Sequence, residues 1–148
     1  MSKAAAVPFE TTRFVRDTCL CLHLQRAARA LARRFDDALR PLGLTSGQYS
    51  MLMSLNRPEP AGIGAVASLL SMDRTTLTAA LKPLARRRLV TVRVDPADRR
   101  GRRLALTQAG RALLARAVPV WRRTHAEIDR LLPDAGADRL RRDLHALS

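Results

Sequence analysis

Leu89-Val90-Thr91-Val92-Arg93-Val94-Asp95-Pro96-Ala97-Asp98-Arg99-Arg100-Gly101-Arg102-Arg103-Leu104-Ala105-Leu106 is the stretch that decides how this chain folds. Its ends, 89–94 and 104–106, alternate apolar residues with others, the period of a half-buried strand. The stretch therefore reads as two short antiparallel strands joined by a charged hairpin tip. Arg99, Arg100, Arg102 and Arg103 crowd around Gly101. A hairpin whose strands anchor a core while its tip projects arginines suits a polyanion, because the guanidinium fork matches phosphate geometry.

The charge spreads outward from this tip. Between Arg74 and Arg103 stand ten basic residues against only Asp95 and Asp98, so one fifth of the 148 residues carries +8 of the formal +14. Lys3 and Lys82 are the only lysines, and the bias to arginine favours nucleic acid over generic solubility. With one tyrosine, one tryptophan and three phenylalanines, no aromatic platform for single-stranded bases is expected. No apolar run is long enough to span a membrane and residues 1–7 lack a secretory apolar segment, so a cytoplasmic protein with free thiols is expected.

Upstream of the hairpin, two short helices, about 63–70 and 74–87, flank the tight connection Ser71-Met72-Asp73, which offers two N-caps. This is a helix-turn-helix signature. Before it, Thr45 and Gln48 have capping-box spacing and open a helix through Leu55. Apolar residues at spacings of three and four from Leu20 to Ala38 predict one long helix over about 9–39, ended by Pro41-Leu42-Gly43. After the hairpin, Thr107 opens a long helix ending near Pro133, and a last helix carries Leu140, Leu144 and Leu147. The expected fold is mainly α with a small β-hairpin. It comprises a helical dimerisation segment (1–43), a winged helix-turn-helix lobe (44–107) and C-terminal dimerisation helices (108–148).

On the helix after Asp73, Leu77, Leu81 and Leu84 share one face, leaving Thr75, Ala79, Lys82 and Arg86 opposite, with Thr78 beside them and Arg74 and Thr76 on the first turn. Small hydroxyls followed by cations suit a helix entering the major groove. Pro83 predicts a bend or a tightened last turn.

In this order the elements resemble the multiple-antibiotic-resistance-regulator (MarR) family of winged-helix transcription factors. The resemblance covers about 13–132. It is carried by Leu44-Thr45 with Gln48, by Met72-Asp73-Arg74-Thr75-Thr76-Leu77-Thr78, by the wing 95–101, and by Leu106-Thr107-Gln108-Ala109-Gly110. It implies a triangular, all-helical homodimer on double-stranded DNA. The recognition helix would lie in the major groove, Arg100 would probe the minor groove, Asp98 would fix the wing and Arg99 and Arg102 would clamp phosphates. Two positions depart from the family pattern: Ala79 replaces a common basic residue, and Arg88 replaces the usual helix-ending glycine. A two-fold dimer would read a pseudo-palindrome with half-sites about one helical turn apart.

The resemblance further implies a repressor released by a small aromatic or phenolic effector, for which Cys19, His23, Tyr49, Met53 and Trp121 are candidates. Thiol sensing of organic peroxide through Cys21, near Gln25, Phe35 and Ser46, is the alternative. On a continuous helix Cys19 and Cys21 would point about 200° apart, so they would neither chelate one ion nor bridge each other. Cys19, His23 and His125 fall short of a zinc set, and neither a metal nor another cofactor is expected. No catalytic constellation is visible, which argues against an enzyme. The rival from another class is a non-specific architectural DNA protein, for which charge alone would suffice. A double-stranded RNA binder is a third reading.

Overall fold

The computed structural model describes residues 6–148; residues 1–5, where the sequence-defined segment 1–43 begins, lie outside the described residues. Helices α1 (Phe9–Thr18) and α2 (Leu20–Leu39) lead through a 3-10 turn to α3 (Ser46–Ser54). Strand β1 (Ala61–Gly62), α4 (Ile63–Leu69) and α5 (Arg74–Arg86) precede the hairpin of β2 (Val90–Val94) and β3 (Arg102–Leu106). Helices α6 (Gln108–Asp129) and α7 (Gly136–His145) complete the chain.

Two expectations need correction here. Residues 9–39 are not one helix: Cys19 takes extended backbone (φ −69°, ψ 107°), and its Sγ accepts the Leu22 N–H at 3.5 Å as the N-cap of α2. No proline or glycine marks this break, so the apolar spacing runs through it unseen. The hairpin is also not alone, because β1 pairs antiparallel with β3 (Ala61 opposite Leu104) and makes β3 the centre of a three-stranded sheet. Two residues are too few to show an alternating pattern. In addition, β3 begins at Arg102, so Arg102 and Arg103 are strand residues, and α6 ends at Asp129, short of Pro133.

The core lies where α2, α3, α5 and the sheet meet. Leu39, Leu52, Leu55, Leu77, Leu84 and Leu104 are fully buried there. Thr45 and Gln48 form the complete capping box at the start of α3, and Asp36 Oδ1 accepts the Ser46 N–H at 2.7 Å, fastening α3 to α2. Helix α6 packs against α2 and α3 through Leu114 and Ala117, whereas α1 and α7 bury no side chain. Among the described residues no helix is long and apolar enough to cross a membrane.

Helix α5 runs through Pro83 to Arg86 and closes without glycine. The Leu89 N–H donates to the Leu84 carbonyl (3.0 Å) and the Arg88 N–H to Ala85 (2.9 Å), the paired bonds of a Schellman ending. Arg88 itself supplies the left-handed residue, at φ +57°. A side chain there costs about 1 kcal/mol relative to glycine. Arg88→Gly is therefore expected to raise the melting temperature by about 3 °C. An unchanged or lowered value in a thermal scan would show that Arg88 bears no such strain.

The joint between hairpin and α6 is equally specific. Thr107 caps α6 by accepting the Gly110 N–H (3.0 Å) while its hydroxyl donates to the Arg88 carbonyl (2.7 Å). Its N–H donates to the Leu89 carbonyl at 3.0 Å. Gly110 lies so close to that carbonyl that a Cβ would stand 3.0 Å from its carbon and overlap its oxygen.

Candidate functional site

Asp73 opens α5 as a two-pronged cap: Oδ1 accepts the Thr76 N–H (2.8 Å) and Oδ2 the Thr76 hydroxyl (2.7 Å). These donations hold the Asp73 carboxyl below its usual range. Thr76 is thus occupied by the cap, whereas Arg74, Thr75, Thr78, Ala79 and Lys82 line an open groove along the exposed face. The Arg74 guanidinium lies over Gly64 on α4, 2.8 Å from where a Cβ would sit. Arg86 is exposed one turn beyond Lys82, and Leu77, Leu81 and Leu84 hold the opposite face in the core.

The wing is built by two aspartates. Asp98 Oδ1 accepts the Arg100 N–H at 3.0 Å, and the Asp98 carbonyl accepts the Gly101 N–H at 2.9 Å. Asp95, which the sequence reading passed over, does more. Its Oδ1 accepts the Ala97 N–H (2.9 Å), and its Oδ2 takes an ion pair from Arg103 Nε (2.9 Å). Its place at the end of an alternating strand, just before proline, is the signal that marks a turn-forming aspartate. Arg102 folds back to donate to the Gly101 and Arg99 carbonyls (3.0 and 3.2 Å). Arg99 and Arg100 are exposed, and their guanidiniums have no hydrogen-bond partner among the described residues.

All ten cations from Arg74 to Arg103 are exposed. The only acids of that segment, Asp95 and Asp98, spend their oxygens on the wing's own backbone and on Arg103. Apart from the Arg103–Asp95 pair, the cations of this surface have no ion-pair partner among the described residues, which leaves them available to phosphates. Arg87 is the exception in role: its Nη1 donates to the Gly43 carbonyl at 2.7 Å and ties the end of α5 to the turn before α3. Gly43 is itself left-handed, at φ +66°.

The effector candidates divide. Tyr49, Met53 and Trp121 line one cleft of about 390 Å³ between α3, the end of α4 and α6, together with Leu69 and Leu70. Cys19 and His23 do not line it. His23 is exposed and its Nδ1 sits 2.8 Å from the Cys19 carbonyl, at the start of α2. Trp121 stacks nearly parallel to Tyr49 (centroids 6.1 Å apart, 13°) and to Phe35 (6.3 Å, 17°). His125 joins this aromatic cluster, 4.7 Å from Trp121 and 3.3 Å from Asp129, rather than joining the cysteines. Burial pushes the Tyr49 phenol up, partly offset by the charge of Arg122.

The cysteine geometry also departs from the expectation. Cys19 is a half-buried cap outside any helix, so the 200° separation assumed for a continuous helix does not apply. Cys21 is exposed, with Gln25 Nε2 donating to its Sγ at 3.2 Å. Phe35 and Ser46 lie instead on the small cavity beside Trp121.

Comparison with known proteins follows the same geometry. The MarR family model matches residues 44–101, from the turn before α3 to the wing glycine. The M. tuberculosis transcriptional regulator MosR in complex with DNA is 40% identical, with a TM-score of 0.80 over 87% of this chain and 92% of that one. The transcriptional repressor CouR bound to a 23-mer DNA duplex is 28% identical, with a TM-score of 0.80 over 97% of this chain and 99% of that one. CouR from Rhodococcus jostii RHA1 bound to p-coumaroyl-CoA is 26% identical, with a TM-score of 0.75 over 88% and 92%. The curated HTH-type transcriptional regulator SarZ of Staphylococcus epidermidis is 27% identical over 92 residues, and the chain spans 62% of its length. Similarity that runs through the wing and the flanking helices alike, at 40% identity over 92% of MosR, places the chain in the MarR family of transcriptional regulators.

Proposed function

We propose that this chain acts as a homodimeric, sequence-specific DNA-binding repressor, released from a pseudo-palindromic operator by a small aromatic effector. The observation that carries the reading is the exposed basic surface of α5 and the wing, in which only Arg103 is ion-paired among the described residues. Arg74, Thr75, Thr78, Lys82 and Arg86 are its major-groove and phosphate contacts, with Thr76 serving the cap. Arg100 is the minor-groove probe, Asp98 its brace, and Arg99 and Arg102 the phosphate clamps. That MosR and CouR have been solved with DNA supports the DNA-binding reading.

Dimerisation follows from what the single chain leaves uncovered. Phe14 is 66% and Leu20 67% exposed, and Phe9, Leu131, Leu140 and Leu147 are exposed on the same terminal segments. Apolar surface of this kind marks an interface, and segments 1–43 and 108–148 supply it to a second copy. The cleft of Tyr49, Met53 and Trp121 is the effector site in this reading, supported by its apolar and aromatic lining; CouR's complex is a precedent for an aromatic ligand, not for its place. Thiol sensing through Cys21 rests on its exposure and the Gln25 contact alone.

Selection of duplexes from a random pool tests the function. The expected result is an enriched pseudo-palindrome, bound at least 10³-fold tighter than shuffled DNA near physiological salt, with affinity falling steeply as salt rises. Equal affinity for both duplexes would identify an architectural protein, and equal competition by an RNA duplex would identify an RNA binder.

A further inference from the structure

The effector cleft holds no charge, in a chain whose formal charge is +14. Its walls are Tyr49, Met53, Leu69, Leu70 and Trp121, and its polar groups are only hydroxyls and an indole N–H. A smaller cavity of about 110 Å³ shares Tyr49, Ser50 and Trp121 with it and adds Phe35, Leu39 and Ser46, again without a cationic side chain. Arg122, whose charge acts on Tyr49, is exposed and does not line either space.

Tyr49 is only 6% exposed, but no buried side-chain polar atom among the described residues lacks a partner, so its hydroxyl, which bonds to no protein group, faces solvent. The hydroxyl of exposed Ser50 and the Trp121 indole N–H likewise bond to no protein group among the described residues and face solvent, while Ser54 already donates to the Met51 carbonyl at 2.7 Å. The unpaired groups are therefore neutral donors beside parallel aromatic faces. Such walls favour a flat, polarisable ring. A carbonyl or phenolic oxygen on that ring finds donors there. An ionised carboxylate would leave water without a cation to meet it, and that desolvation is expensive.

We infer that this cleft selects uncharged planar aromatic compounds, such as phenols, aryl amides and aryl esters or thioesters, and discriminates against the free carboxylates of the same rings. The inference rests on the proposed effector reading of the cleft and specifies its ligand class. Any anionic portion of a larger ligand would stay outside, in solvent.

Isothermal titration of the full chain with 4-hydroxybenzamide and with 4-hydroxybenzoate at pH 7.5 tests this, followed in parallel by emission of Trp121, the only tryptophan. The amide is expected to bind at least about tenfold tighter, since the benzoate is ionised at this pH. Met53, 37% exposed at the cleft's edge, tolerates a longer side chain, and Met53→Lys is expected to move the ratio toward the benzoate by supplying the missing cation. Equal or tighter benzoate binding by the unmodified chain would overturn the charge selectivity and leave the effector site standing. Absence of heat and of any Trp121 response with both compounds, and with their unsubstituted parents benzamide and benzoate, would overturn the effector site and the selectivity together.

Discussion

Arg100→Ala is expected to weaken operator binding about 10- to 100-fold while shifting the melting temperature by less than about 1 °C. The two halves of this expectation have separate causes. The Arg100 guanidinium is exposed and has no partner among the described residues, so the folded chain loses no contact when it is removed. The backbone of Arg100 is held instead, through its N–H on Asp98 Oδ1, and alanine retains that N–H. The wing therefore keeps its shape without its probe. In the groove, the narrow minor-groove potential favours an inserted arginine, and its loss removes both a charge and a shape-dependent contact. Fluorescence anisotropy on the selected operator, paired with a thermal scan, reads both quantities. Unchanged affinity would show that the wing does not enter the groove, and a large fall in melting temperature would show that Arg100 is a structural residue.

Gly110→Ala is the largest stability effect expected in the chain. The new methyl would overlap the Leu89 carbonyl oxygen, which is backbone and cannot rotate aside. That carbonyl is also fixed by the Thr107 N–H and hydroxyl, at 3.0 and 3.1 Å. Relief requires the first turn of α6 to lift from the start of β2, loosening both hydrogen bonds and the packing of Leu106 beneath it. Overpacking of about 1–3 kcal/mol with two weakened hydrogen bonds of about 1 kcal/mol each gives a loss of roughly 3–5 kcal/mol. The melting temperature should fall by about 10 °C. Gly47→Ala provides the contrast, because its Cβ would meet nothing closer than the Thr45 hydroxyl at 3.9 Å within α3. That variant is expected to be neutral or slightly stabilising. Equal behaviour of the two variants would show that the Gly110 contact is not a constraint.

Arg88 and Gly110 sit on the same joint and illustrate how a family motif becomes geometry. The run Leu106-Thr107-Gln108-Ala109-Gly110 is legible in the sequence as a pattern. Its physical content is that one threonine ties a helix start to two consecutive carbonyls, Arg88 and Leu89, while a glycine makes room for them. Arg88, standing where glycine is usual in the family, raised the question of how α5 ends. The structure answers that the Schellman bonds form regardless, with the arginine in the left-handed region.

Sequence alone was enough for the helix-turn-helix, the hairpin strands and the long helix after them, the capping box at Thr45 and Gln48, the inward face of α5 and the basic surface around the wing. Each depends on local periodicity, local capping or charge count, which neighbouring residues are enough to express. Tertiary structure alone decided the rest. The break at Cys19 carries no proline or glycine. Strand β1 exists only because β3 offers it an edge, since two residues cannot form a strand alone. Asp95 becomes a brace only once Arg103 returns on the facing strand. The cleft of Tyr49, Met53 and Trp121, and the exclusion of Cys19 and His23 from it, depend on how α3, α4 and α6 pack over long sequence separations. The arginine hairpin was thus written in adjacent residues, whereas the site proposed to govern its release is assembled from residues 70 positions apart, which no local pattern specifies.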